Sequence, residues 1–234
     1  MNIEVIHEPS ENEPFVVLSK PAGLPSAPLH EYDDCALNRA VELFPQIKNV
    51  CGRKKIEYGL THRLDTQTSG LILIAASQEF YDYIQDEQIN GRFIKQYSAQ
   101  VDFIPETAAH LEGFPPVPGH TDIVISRFRG YGSKRTEVRP VTDECSLVVQ
   151  KKADPAVYST NIQINGNNAL CTISRGYRHQ VRCHLAWCGM PVHGDKIYNP
   201  EFRNKKTDIE MMFKAVKISF RNYSDGKEMS FEVK

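Results

Sequence analysis

The sequence predicts an α+β fold built on a large, mainly antiparallel sheet. Three observations carry this. Strand-like runs follow one another closely between residues 122 and 174, with separations too short for a helix, so they must return as hairpins or meanders. Only three segments have helical spacing, and they interrupt the strands rather than alternating with them. Neither G-x-G-x-x-G nor G-x-x-x-x-G-K-[ST] occurs, which removes the usual dinucleotide-binding and P-loop architectures.

The elements follow in order. Pro14–Ser19 (PFVVLS) is an apolar run of strand length, and Lys20-Pro-Ala-Gly-Leu-Pro25 has turn chemistry. Leu37, Ala40, Val41 and Phe44 share one face of a helix over Asp34–Phe44, with Asp34 as its expected N-cap. Leu71–Ala76 is the longest clean apolar run and reads as a central strand. Ser77 caps a helix to about Ile89, and residues 93–101 alternate as a strand. Strands are then expected at Asp122–Phe128, Arg135–Val141, Ser146–Gln150, Val157–Ile164 and Ala169–Ser174. A helix over Tyr177–Cys188 stops at Gly189 and Pro191, and strands at Met212–Phe220 and Glu228–Val233 flank the turn Ser224-Asp225-Gly226.

The chain has 234 residues, 41% hydrophobic and 24% charged, which excludes disorder, collagen and coiled coil as whole-chain readings. No repeat or linker interrupts it, so it is read as one domain, 1–234. No apolar run approaches the 18 or so residues of a membrane helix, and Met1–Pro14 lacks the regions of a signal peptide. Six cysteines without a C-x-x-C pair read as reduced thiols in a cytoplasmic setting. Net charge is only −1, but it is unevenly spread. Residues 1–50 hold three basic and eight acidic side chains, residues 151–200 six and two, and Arg127–Arg139 five and one. A near-neutral chain with basic segments can bind a polyanion, although the blander reading is solvated loop charge.

Two clusters carry chemistry. His62-Arg63-Leu64-Asp65-Thr66-Gln67-Thr68-Ser69-Gly70 lies just before the central strand. An aspartate there serves as nucleophile, general base or metal ligand, or merely organises a turn with Thr68. The metal reading is weak because no second carboxylate lies within a few residues. Arg175-Gly-Tyr-Arg178-His179-Gln180-Val-Arg182-Cys183-His184 is the second. Helical spacing puts Arg178 and Arg182 one turn apart on one face, where two like charges call for an anion. The His179, Cys183, His184 and Cys188 set does not match zinc-ligand spacing.

The first cluster, His62-Arg-Leu-Asp65-x-x-Thr68-Ser69-Gly70 with Ala75, resembles the catalytic signature of the RluA-type RNA pseudouridine synthases. Phe15–Pro25 with its Lys20-Pro21-Ala22-Gly23, Lys95-Gln-Tyr97, Lys134–Val138, and His179-Gln180-x-Arg182-x-His184-Leu185-Ala186 followed by Gly189-x-Pro191-x-x-Gly194-Asp195-x-x-Tyr198 resemble further family motifs, in family order. The resemblance implies a mixed, mainly antiparallel sheet split by a catalytic cleft and flanked by helices. It implies an isomerase that detaches uracil from its ribose in rRNA or tRNA, rotates it and rejoins it through carbon 5. Asp65 is then the nucleophile, attacking the ribose or the uracil ring. Tyr97 stacks on the target base and takes its carbon-5 proton, and Arg182 pairs with Asp65. Arg63 helps extrude the uridine, and His62, Thr68, Arg178, His179 and Gln180 complete the substrate site. No metal or cofactor is implied, and the partner is RNA, with no membrane, bound by a monomer.

Two departures stand out. Family members commonly read Thr-Gly-Arg-Thr before His-Gln, whereas this chain reads Arg175-Gly176-Tyr177-Arg178, which displaces the arginine by one place. The family's N-terminal S4-type RNA-binding domain is also missing, since 14 residues precede the first motif. RNA affinity is therefore expected from the catalytic domain, through Arg127, Arg129, Lys134, Arg135 and the Arg175–Arg182 segment. The alternative is a non-catalytic relative that keeps the fold as an RNA chaperone or assembly module. The trio Asp65, Tyr97 and Arg182, any member of which such a relative could lose, is complete.

Overall fold

The computed structural model describes residues 3–104, 111–119, 121–132, 136–203, 205 and 208–233. Lys134 and Arg135, two of the expected RNA-contacting cations, lie outside the described residues. The chain divides into two compact units, residues 1–96 with 214–234, and residues 97–213. The α+β class holds: helices are few, and the strand pairs described below are antiparallel except one.

In the first unit, β1 (Glu4–His7), β2 (Phe15–Lys20) and β3 (Ser69–Ala75) run antiparallel to their neighbours. β3 then pairs briefly in parallel with the start of β9 (Phe213–Arg221), and β10 (Glu228–Glu232) pairs antiparallel with the rest of that strand. The apolar runs that predicted β2 and β3 are almost wholly buried because both strands are interior. Phe15, Val17, Leu71 and Leu73 pack with Phe80 and Ile84 of a covering helix, and with Ile218 and Phe220 of β9. That helix, α2 (Gln78–Ile89), starts where expected, with the Ser77 hydroxyl accepting from the Phe80 amide at 3.2 Å. The first helix, α1 (Ala36–Leu43), buries Leu37, Ala40 and Val41 as its spacing requires. Its cap is Cys35, whose Sγ accepts from Asn38 N, rather than Asp34. Asp34 instead bonds the Arg39 guanidinium at 2.6 Å, an ion pair that a capping aspartate would forgo.

β4 (Ile94–Gln100) leads from the first unit into the second, and its alternation is real: Lys95, Tyr97 and Ala99 are buried and their neighbours are not. The second unit holds the antiparallel order β8 (Asn168–Ile173), β7 (Tyr158–Asn165), β5 (Ile123–Tyr131), β6 (Glu137–Val141).

Two expectations need correction. Residues 146–150, read as a strand for their valines, form a short helix, α3 (Leu147–Lys151), with no buried residue. No sheet neighbour completes a ladder for them. Gln150 instead turns its carboxamide back onto the Asp143 and Cys145 carbonyls and stabilises the turn. The last helix, α4 (Gln180–Trp187), is shorter than Tyr177–Cys188. His179 sits in the left-handed region at φ 56°, which bars any helical turn before it. Arg178 therefore stands outside the helix and exposed, while Arg182 lies within it and buried, so they do not share a helical face.

Gly70 opens β3 at φ +109°, and a Cβ there would collide with the Ala215 carbonyl across the β3–β9 pairing. Gly70→Ala is expected to cost about 3 kcal/mol through backbone strain and separation of the two strands. A urea titration showing no loss of unfolding free energy would contradict this.

Candidate active site

The Asp65 loop belongs to the first unit and is tied down residue by residue. At its start, the Thr61 hydroxyl donates to the Leu73 carbonyl at 2.8 Å, and Leu73 N donates to His62 Nε2 at 3.1 Å. The Leu64 amide donates to Ser26 Oγ at 3.0 Å, and that hydroxyl donates in turn to the Leu64 carbonyl at 2.7 Å. Thr68 N closes the turn onto the Asp65 carbonyl at 3.0 Å.

The deepest anchor is Lys20, at the end of β2 and 1% exposed. Its three ammonium hydrogens meet three carbonyls, Leu24 at 2.7 Å, Pro21 at 2.9 Å and Thr66 at 3.1 Å. The Thr66 carbonyl also accepts from Gly23 N at 2.8 Å. Burial pulls the lysine pKa down to about 8, and the Asp65 charge acts against that fall. A cation is thus held near the carboxylate by a turn on one side and the Asp65 loop on the other. This is the physical content of the Lys-Pro-x-Gly run.

His62 has a single workable protonation state. Its Nε2 accepts from a backbone amide, so the ring proton sits on Nδ1, which is buried and has no partner. Burial, and then the Lys95 ammonium, hold its pKa well below the usual imidazole range. An unfolded chain protonates this histidine near pH 6.5 and the folded chain only well below that, so acid below pH 6.5 favours unfolding. Lys95 itself lies on the buried face of β4, donates to Gln88 Oε1 at 3.2 Å and sits over the Phe93 ring. Burial lowers its pKa to about 8. Arg63, by contrast, is exposed, with its guanidinium 3.4 Å from Glu57. The Thr68 hydroxyl is buried and has no hydrogen-bond partner among the described residues.

The second unit holds the remaining expected residues. Tyr97 is buried and stacks on Phe213, with ring centroids 5.2 Å apart and planes 12° apart. Arg182 makes a two-pronged ion pair with Asp195, Nε to Oδ2 at 2.8 Å and Nη2 to Oδ1 at 2.7 Å. Burial acts to raise the Asp195 pKa, but the Arg182 charge and hydrogen bonds, with the Ile197 and Tyr198 amides, outweigh it and the carboxyl lies below its usual value. His179 Nδ1 lies 3.0 Å from the Tyr198 hydroxyl, which accepts from Val138 N at 2.9 Å. The Gln180 carboxamide accepts from Tyr177 N and donates to the Ser159 carbonyl and the Thr160 hydroxyl, fixing the entry of α4 against β7. His184, further along α4, bridges the Ser126 and Thr160 hydroxyls, and burial takes its pKa to about 3.

Sequence reasoning assigned no role to Lys20, Ser26, Lys95 or Asp195. For Lys95 a signal existed: the alternation of residues 93–101 places it on the same face as Phe93 and Tyr97. For Lys20 it was a lysine closing a buried strand just before Pro-x-Gly. Nothing local marks Ser26.

Comparison with known proteins gives a consistent picture. The family model described as RNA pseudouridylate synthase matches residues 14–187. The ribosomal large subunit pseudouridine synthase D of Zymomonas mobilis is 23% identical over 95% of this chain and 67% of its own length. The uncharacterized RNA pseudouridine synthase of Mycoplasma pneumoniae is 27% identical over 95% of this chain, which spans 64% of that protein. The dual-specificity RNA pseudouridine synthase RluA of Escherichia coli is 23% identical, covering 95% and 90%. In fold, the chain is similar to human RNA pseudouridylate synthase domain containing 4, with a TM-score of 0.61 at 20% identity, over 99% of this chain and 88% of that one. Human RNA pseudouridylate synthase domain containing 1 gives 0.60 at 17%, over 100% and 83%.

Removing Arg182 would leave the Asp195 carboxylate buried and unpaired. Arg182→Ala is expected to lower unfolding free energy by about 3–5 kcal/mol. Arg182→Ala/Asp195→Ala should recover part of that loss, because no charge is then stranded. A denaturant series in which the double variant is less stable than the single one by the full cost of a second, independent lesion would contradict the pairing energetics.

Proposed function

The chain belongs to the RNA pseudouridylate synthase family, and on that footing we propose that it converts uridines of rRNA or tRNA to pseudouridine with Asp65 as nucleophile. The observation that carries the reading is the Asp65 loop itself. Its carboxylate stands one residue from a carbonyl bonded to a buried ammonium, on a loop anchored as a nucleophile's must be. The reaction balances without a co-reactant. The bond from ribose carbon 1′ to uracil N1 breaks, a bond from carbon 1′ to carbon 5 forms, carbon 5 loses its proton and N1 gains one.

In this reading Tyr97, braced on one face by Phe213, stacks on the uracil and takes the carbon-5 proton. Arg182 supplies the catalytic cation. Asp195 engages Nε and one Nη, which fixes the plane of the guanidinium for the role that the resemblance gives it. Arg63, exposed and long, fills the gap left when the uridine is flipped out, an extrusion that costs a few kcal/mol. Thr68 lines the substrate site, as do His62 and Gln180, which also fix backbone through Leu73 N and Tyr177 N, and His179, which bonds the Tyr198 hydroxyl. Exposed Arg178 contacts a phosphate. The chain acts as a single catalytic domain and monomer in the cytoplasm. No helix among the described residues is long and apolar enough to cross a membrane.

Tritium release from RNA labelled at uridine carbon 5 tests the assignment. Asp65→Asn preserves shape and removes charge, so RNA binding should persist while release falls at least a thousandfold. Retention of a sizeable fraction of the wild-type rate would sink the nucleophile. On the same RNA, Arg178→Ala should raise half-saturation several-fold with turnover unchanged, since a phosphate contact made equally in ground and transition states does not speed the chemistry. Loss of turnover at saturating RNA would move Arg178 into the catalytic step.

A further inference from the structure

The second unit contains a cavity of about 310 Å³ that none of the expected site residues lines. Its walls are apolar and stiff: Phe114, Pro115, Pro116, Pro140 and Val149. The Pro115 and Pro116 carbonyls both accept from the Trp187 indole, at 3.1 and 2.9 Å, which pins that wall to α4. Tyr131, at the end of β5, completes the lining, and two guanidiniums lie over its ring, Arg139 at 4.4 Å and Arg129 at 4.7 Å. Arg139 is further held by Glu137 at 2.6 Å and presses on the backbone of Gly113, where any Cβ would strike it. Arg129 has no carboxylate partner among the described residues. A carboxylate, Glu144, also lines the cavity and is exposed.

The volume sits at the lower end of the roughly 300–1,000 Å³ of small-molecule sites, so it takes one nucleotide and not a chain of them. Flat apolar walls suit the faces of a base. Guanidiniums stacked on an aromatic ring suit a phosphate beside it, and a carboxylate suits a base edge that donates N–H groups. We propose that this cavity binds one unpaired guanine nucleotide of the RNA, with Glu144 accepting from the guanine N1–H and N2–H edge and Arg129 meeting its phosphate. The proposal rests on the RNA-substrate reading above and adds a second, non-catalytic contact to it. The cations select against the other occupant that an apolar cavity invites, an apolar surface of a second copy of this chain.

The test is a titration of the ¹⁵N-labelled chain, followed by amide shifts, with 5′-GMP, 5′-UMP and ribose 5-phosphate. GMP should give saturable shifts at Gly113, Tyr131 and Val149, at a midpoint at least fivefold below that of UMP. Glu144→Gln, at an exposed position, should abolish that preference while leaving the UMP midpoint unchanged. Four results overturn the proposal: no saturable shift at these amides, equal response to ribose 5-phosphate, a preference untouched by Glu144→Gln, or broadening there that depends only on protein concentration and so reports a second copy. The titration needs no turnover. A chain that releases tritium from uridine but ignores GMP loses this cavity site alone, and one that binds GMP but releases no tritium loses the uridine chemistry alone.

Discussion

The buried ammonium of Lys20 is the interaction on which the first unit's Asp65 loop depends. Three hydrogens meet three carbonyls, from Pro21, Leu24 and Thr66, and no other side chain presents three donors from one compact charge. The arrangement joins the turn after β2 to a loop some 45 positions away in sequence, just beyond the last rung of the β2–β3 pairing. Its cost is desolvation, visible in a pKa drawn down to about 8. Its return is twofold, because the carbonyl of Thr66 is fixed and the carboxylate of Asp65 gains a nearby positive charge. A neutral side chain of the same length would leave carbonyls unpaired in a buried site.

The second unit solves a similar problem with a different pair. Arg182 and Asp195 are both buried, and each satisfies the other through two parallel hydrogen bonds, while the Ile197 and Tyr198 amides occupy the remaining carboxylate capacity. Around them, His179, Gln180 and His184 spend their polar atoms on neighbouring strands and loops. These motif residues help to build the frame of the unit. Such residues fix backbone, and a frame of this kind keeps catalytic groups within the narrow tolerances that chemistry requires.

Much of this was legible in advance, for identifiable reasons. β2 and β3 announced themselves because interior strands are apolar throughout, α2 because Ser77 is a sound cap, and β4 because its burial alternates. Residues 146–150 misled because valines favour a strand only when a neighbouring strand is present, and none is there. The start of α4 misled because the left-handed backbone of His179 leaves no trace in side-chain spacing. The Asp65 loop was visible as a motif, but its supports were not. Ser26 and Lys20 lie 38 and 46 positions from the loop carbonyls they hold, and Asp195 lies 13 residues beyond the Arg182 it bonds, with no local spacing to mark the pair.

The central claim is that this chain makes pseudouridine in RNA. The most direct measurement incubates the purified chain with unmodified rRNA and tRNA transcripts and maps pseudouridine at single-nucleotide resolution. The account predicts full conversion at one or a few discrete uridines, with no added metal or cofactor. RNA that is bound tightly yet unmodified at every uridine would contradict it and leave the fold as an RNA-binding module.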